Sequence, residues 1–346
     1  MNKKKRILIG SAVVLALLLI VGGIVAYTFY HRLQSSFLKG NTRQFVYIDS
    51  DDNIDSVYSK LRPVATDESL DAFQMLASHY DYASAIRTGR YAIDPGLSTL
   101  DVFRRIRGGQ QSPVRLVVPS LRTIDRMAGA ISRHIMLDSA TIAMAFTDES
   151  FLQQLGYDTS TVYCLFVPNT YEVYWNMSLD QLAARLKREH DAYWNDDRKK
   201  LAEAIGLTPN EVVTLASIID EETANDGEKP TIAGLYLNRL RKGMRLEADP
   251  TVKFALGDFT LKRIYNFHLD VESPYNTYRN DGLMPGPIRV PSLQSIEAVL
   301  HAEQHPYLFM CAKADFSGTH NFAVTLTEHE KNRRDFQRAQ NQRGIR

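Results

Sequence analysis

The chain alternates between one long unbroken apolar run and many short periodic ones. From Ile7 to Tyr30 no residue carries a charge, and Lys3, Lys4, Lys5 and Arg6 precede the run. At 1.5 Å per residue this stretch covers about 36 Å as a helix, enough to cross a bilayer with some tilt. A cleaved signal peptide is the competing reading. The run is long for a signal core, and Val25-Ala26-Tyr27 is a poor small-residue cleavage site. The pattern therefore predicts an uncleaved single-pass anchor over residues 7–30. Residues 1–6 form a cytoplasmic tail, because basic clusters stay inside, and everything beyond His31 is outside. A polar linker is expected over residues 31–44.

Beyond it the periods are short. Phe45-Val46-Tyr47-Ile48-Asp49 alternates like a strand, residues 53–61 and 69–78 repeat like helices, and Gly89-Arg90-Tyr91-Ala92-Ile93 reads as a second strand. Asp94-Pro95-Gly96 marks a turn, and a helix from Thr99 to Ile106 stops at Gly108-Gly109. Residues 45–112 thus form a small α+β subdomain. Residues 113–205 read as a mainly helical connecting region, entered through a strand at Val114–Val118 and broken around residues 163–171. The last region, residues 206–346, carries the candidate chemistry. The predicted class is α+β, with a mixed α/β arrangement in that region.

The most informative helix spans residues 208–223. Thr208 caps it, Pro209 suits its first position, and Glu211 completes a Thr-x-x-Glu capping box. At 100° per residue Val212, Leu215, Ala216, Ile218 and Ile219 share a face, and Glu222 extends it. A carboxyl held against apolar side chains has a raised pKa, which suits a general acid working near neutral pH. Asp220 also falls within the stripe, so periodicity does not choose between the two. Glu221 is expected to point towards water.

A helix over residues 231–242 follows, with Ile232, Leu235, Tyr236 and Leu240 facing inward and Asn238 near its polar edge. Met244–Ala248 alternates like an exposed strand, and Asp249-Pro250 reads as a turn. Residues 273–288 form a long loop rich in turn residues, aromatics and amides. There Tyr275 can stack on a sugar face, while Asn276 and Thr277 can bond sugar hydroxyls and acetamides. Strands are expected near residues 309–312 and 320–325, with His320 a site candidate and a helix near Glu328-His329.

Composition narrows the class. The chain has 346 residues, 44% hydrophobic and 23% charged, with a net charge of +1. Such a balance gives no field for nucleic acid. No phosphate loop, zinc-type spacing or nucleophile elbow occurs, so neither metal nor cofactor is expected. Cys164 and Cys311 are too few for a disulfide framework. Buried free thiols are the first expectation and one disulfide the alternative.

Several uncommon strings then recur together: Ala216 through Thr223, Asn238-Arg239-Leu240, Gly243-Met244-Arg245-Leu246, Asp249-Pro250-Thr251-Val252, Ser273 through Tyr278, Pro285-Gly286-Pro287-Ile288 and His320-Asn321-Phe322. In this order they resemble the YceG-like family of membrane-anchored endolytic murein transglycosylases. Asn169 and Met284 depart from the family's usual aspartate and proline. The resemblance implies a LysM-like subdomain over residues 45–112 and a catalytic domain over residues 206–346. It puts the catalytic glutamate at Glu222, not Asp220. It suggests positioning roles for Thr251, Tyr275, Asn276 and Thr277, with Asp249, Asn238 and His320 behind them. The implied substrate is the peptidoglycan glycan strand, cut between N-acetylmuramic acid and N-acetylglucosamine to leave 1,6-anhydro ends and so limit strand length. The implied location is the bacterial inner membrane, with the catalytic domain in the periplasm or extracytoplasmic space and peptidoglycan synthases as partners. A non-catalytic, membrane-tethered peptidoglycan-binding scaffold is the alternative. A conventional hydrolase would need a second carboxylate, for which Glu228 and Asp249 are the nearby choices.

Overall fold

The computed structural model describes residues 3–261 and 263–343, with side chains from residue 9 onwards, so the basic cluster Lys3–Arg6 lies outside the described side chains. The apolar run forms one helix, Lys3–Gln34. Its segment Ile9–Gln34 has mean hydropathy 2.7 and buries none of its surface. By length and composition it can cross a membrane.

The remainder is α+β, packed as two compact units: residues 1–114 with 172–177, and residues 115–171 with 178–346.

In the first unit the N-terminal apolar helix continues directly into folded structure. Residues 31–44, expected as a linker, are helical to Gln34, and Phe37 and Leu38 then enter the core. Strands Gln44–Ile48 and Gly89–Ile93 pair antiparallel, with Tyr47 opposite Arg90. Helices Ile54–Leu61 and Asp67–His79 lie between them in sequence, and helix Thr99–Arg107 follows. Asn53, Thr66 and Ser98 each cap their helix by accepting a backbone N–H, as short polar side chains do at helix starts. Phe73 centres the core, with edge-on contacts to Phe37, Tyr58, Tyr82 and Phe103.

The second unit is built round helix Pro209–Glu222. Its eight residues Val212 to Ile219 are all buried, so the helix is enclosed on every side rather than amphipathic. Burying Val212, Leu215, Ile218 and Ile219 contributes roughly 1.5–3 kcal/mol each. Helices Lys229–Arg241, Asp249–Leu256 and Leu293–Leu300 pack against it. Ser217 is fully buried on this helix; its hydroxyl donates to the Thr214 carbonyl and accepts from the Ile288 N–H, joining helix to loop. Strands Phe309–Ala312 and His320–Ala323 form an antiparallel hairpin that the C-terminal helix Leu326–Gln342 covers.

Three local expectations change. Met244–Ala248 is irregular, not a strand. Its alternation arises because Leu246 and Ala248 are buried while the segment pairs with no strand; the Glu247 and Ala248 N–H groups go to the carbonyl and hydroxyl of Thr277. Asp249-Pro250 is the first turn of helix Asp249–Leu256, where proline's fixed φ and missing N–H carry no penalty. Asn169–Val173, expected as a break between helices, is a strand that pairs with Val114–Val118.

Candidate active site

Helix Pro209–Glu222 ends in three consecutive acids, and the fold gives each a different environment. Its start carries the expected capping box, in which Glu211 accepts from the Thr208 N–H at 2.7 Å and donates its own N–H back to the Thr208 hydroxyl at 3.3 Å.

Asp220 is saturated. Its carboxylate accepts from the Ser292 and Ser295 hydroxyls at 2.7 and 2.6 Å, the Ser292 N–H at 3.1 Å and Lys229 Nζ at 3.0 Å, with Arg289 Nε at 3.4 Å. Burial opposes its charge, but the Ser295, Ser292 and Lys229 donors, helped by Arg289, outweigh burial and hold the pKa down to about 2. A group so held keeps its charge at neutral pH and has no proton to give.

Glu221 does not point towards water. Arg122 grips both its oxygens at 2.6 Å and Arg289 donates to Oε1 at 2.7 Å. The bidentate guanidinium fork explains why an acid opposite the apolar face stays inside.

Glu222 has a different setting. Its hydrogen-bond partner is the buried Tyr236 hydroxyl, which donates to Oε1 at 2.8 Å. Burial raises its pKa to about 7; the Tyr236 hydrogen bond pulls the other way, and the negative charge of Asp249 adds to the rise. Its surface is still partly open to a cavity of about 510 Å³. The walls of that cavity include Tyr236, Leu246, Asp249, Tyr278 and His320, with Cys311 and Arg333 from the hairpin and C-terminal helix. Such a carboxyl, half-protonated near neutrality and facing a cleft, can donate a proton and take one back.

Of the other sequence candidates, Asp249 and His320 share this cavity with Glu222. Asp249 accepts from the Tyr278 hydroxyl at 2.7 Å. His320 is held by Glu228, which accepts the His320 N–H at 2.8 Å and lies 3.2 Å from Nδ1. Glu228 itself does not line the cavity.

Thr251, Asn276 and Thr277 are buried behind the wall. The Thr251 hydroxyl donates to the Ala248 carbonyl at 2.7 Å and lies 2.8 Å from that of Thr277, which accepts the Ala248 N–H. Asn276 donates to the carbonyls of Leu269 and Val271 and accepts the Tyr278 N–H. These three fix the backbone that presents Asp249 and Tyr278. Tyr275 packs its ring 4.7 Å from Phe254, away from the cavity lining. Asn238 ties down the carbonyls of His305 and Tyr307.

The residues that sequence reasoning left unassigned are Tyr236, Tyr278, Arg239 and Glu247. Tyr236 read as a core residue; the available signal was that a buried tyrosine needs a partner for its hydroxyl. Arg239 is buried, pairs with Glu247 and donates to the carbonyls of Arg245 and Leu308. Glu247 sits at φ +52°, a left-handed conformation that L residues adopt at a cost of about 1–2 kcal/mol. This ion pair braces the strained turn at the cavity wall. Cys164 and Cys311 are both free, and burial pushes both thiols up.

Residues 46–335 match the sequence model of the YceG-like family. The chain belongs to the YceG-like family. This member is 28% identical over 341 residues to an endolytic murein transglycosylase of Bacillus subtilis (strain 168), covering 94% of this chain and 93% of that one. It is 25% identical to an endolytic murein transglycosylase of Streptococcus pneumoniae serotype 2 (strain D39 / NCTC 7466). That match covers 93% of this chain but spans 64% of the relative's length. A crystal structure of a yceG-like protein from Listeria monocytogenes superposes with TM-score 0.54 at 26% identity, covering 84% of this chain and 99% of that one.

Proposed function

We propose that this YceG-like protein is a peptidoglycan lytic transglycosylase that cuts within glycan strands, with Glu222 as its catalytic acid and base. The observation that carries this reading is the contrast among the three acids. Asp220 and Glu221 are locked in ion pairs, while Glu222 alone of the three faces the cavity with its pKa raised to about 7. The names of the relatives supply the substrate class.

Protonated Glu222 donates to the glycosidic oxygen between N-acetylmuramic acid and N-acetylglucosamine as the C1–O4 bond breaks. The resulting carboxylate takes the proton from the muramic C6 hydroxyl as O6 bonds to C1. The product is a 1,6-anhydro end, no water is consumed, and Glu222 finishes protonated again. One carboxyl performs both transfers, so the second carboxylate of an ordinary glycosidase is not needed. Tyr236 fixes Oε1. Asp249 and Tyr278 sit across the same cavity and are placed to hold the sugar.

The anchor helix would hold the enzyme at the inner membrane with its catalytic unit outside, where it would meet strands as they emerge and limit their length. The β-α-α-β order of residues 44–93 supports the LysM-like reading of the first unit. The test is mass spectrometry of glycan strands after digestion by the full chain and by Glu222→Gln. Anhydro ends from the native protein alone support the assignment. Reducing ends point to a hydrolase, with Asp249, a second carboxylate on the cavity wall, as the group to activate water. Binding without products supports the scaffold reading.

A further inference from the structure

The first unit holds a second concavity, about 400 Å³, lined by Tyr80, Arg87, Phe103, Arg104 and Arg107. We infer that it is an oxyanion-binding subsite that takes the peptide-stem carboxylates of the glycan strand, separate from the Glu222 cavity. The inference rests on the peptidoglycan reading above.

Three guanidiniums line one hollow and no carboxylate does. None of the three forms an ion pair among the described residues, although the neighbouring Arg105 pairs with Asp94. Helix Thr99–Arg107 ends here, and its dipole favours cations in the last turn. That accounts for Arg104 and Arg107 but not for Arg87, which arrives from the loop before strand Gly89–Ile93. Like charges gathered without a counter-charge repel, and an anion in the hollow removes the cost.

The hollow is also built, not merely charged. Tyr80 stacks on the buried Phe103 at 5.6 Å, and Arg107 lies 4.9 Å over the Tyr80 ring. The Arg87 stem runs beside Gly109, where a Cβ would come within 2.9 Å of Arg87 Cδ. Gly109 holds φ +68° and so closes the helix while leaving room for that stem. Three guanidiniums beside a stacked aromatic pair suit a carboxylate on a sugar or short peptide, because the guanidinium fork binds both oxygens. A surface concavity of this size matches a small fragment, whereas the basic clusters that meet a lipid surface are extended.

The experiment uses the full chain in nanodiscs of neutral lipid. The probe is a disaccharide tripeptide with free carboxylates, titrated by calorimetry against the same fragment amidated. Amidation is expected to abolish binding. Arg87→Gln, Arg104→Gln and Arg107→Gln should each weaken it roughly tenfold, the scale of one charge-assisted hydrogen bond. All three variants should still cut peptide-free glycan strands at the native rate. Equal binding of the amidated fragment, or unchanged affinity in all three variants, overturns the subsite. A parallel titration in discs containing phosphatidylglycerol tests the other source of anion: loss of fragment binding there overturns the subsite and marks a membrane-surface site. Loss of anhydro products from native protein while the fragment still binds would sink the transglycosylase reading and leave the subsite standing.

Discussion

Replacing Glu222 by glutamine should make the protein inactive and, above neutral pH, more stable. Glutamine keeps the shape, and its carbonyl can still accept from the Tyr236 hydroxyl now 2.8 Å from Oε1. It loses the proton and the charge. The Glu222 pKa rises from 4.5 to about 7 in the folded state. Below pH 4.5 both folded and unfolded chains hold the proton, and the group makes no difference to stability. Between pH 4.5 and 7 the unfolded chain releases it while the folded chain retains it, so stability falls as pH rises. Above about 7 the penalty is complete, about 3 kcal/mol at most, given the partial solvent access of the carboxyl. The variant carries no such penalty. Its advantage should be near zero at pH 4 and about 2–3 kcal/mol at pH 8. Urea unfolding followed through Trp194, buried in the second unit, reads this directly once Trp175 of the first unit is changed to Phe. All other titrating groups are common to both proteins and cancel. A stability difference that does not vary between pH 4 and 8 would refute the raised pKa, and with it the argument for Glu222 as an acid at neutral pH.

Tyr236→Phe removes the hydrogen bond that favours the Glu222 carboxylate, so its pKa should climb further and the alkaline limb of the cutting rate should move to higher pH. The rate itself should fall about 10- to 100-fold through looser placement; a pH profile superimposable on the native one would remove Tyr236 from the site. Asp220→Ala leaves Lys229 and Arg289 facing an unoccupied interior position, which should cost about 3–5 kcal/mol. Because the folded pKa of Asp220 lies at about 2, below its ordinary 3.8, this contribution is full above pH 4 and lost as pH falls through 2. The native-to-variant difference should therefore narrow in acid, and a loss under about 1 kcal/mol at pH 7 would show the cluster to be screened by water.

Local chemistry was legible in the chain. The unbroken apolar run gave the N-terminal helix, and Thr208, Pro209 and Glu211 gave the start of the central helix, because caps and hydrophobic spacing act over three or four residues. The strand pair around residues 45 and 91 and the hairpin near 310 and 322 were readable from alternation. The fates of Asp220, Glu221 and Glu222 were not. Periodicity sent Glu221 to water, yet Arg122 from 99 residues earlier and Arg289 from 68 residues later hold it inside. It left Asp220 and Glu222 equal, and Ser292, Ser295 and Lys229 separated them. Loop composition and the family resemblance made Thr251, Asn276 and Thr277 look like sugar ligands, while the fold spends their hydrogen bonds on backbone behind the cavity wall. A residue's own neighbours in sequence set its secondary structure. Its charge state depends on which distant donors arrive within 3 Å, and only tertiary packing brings those together.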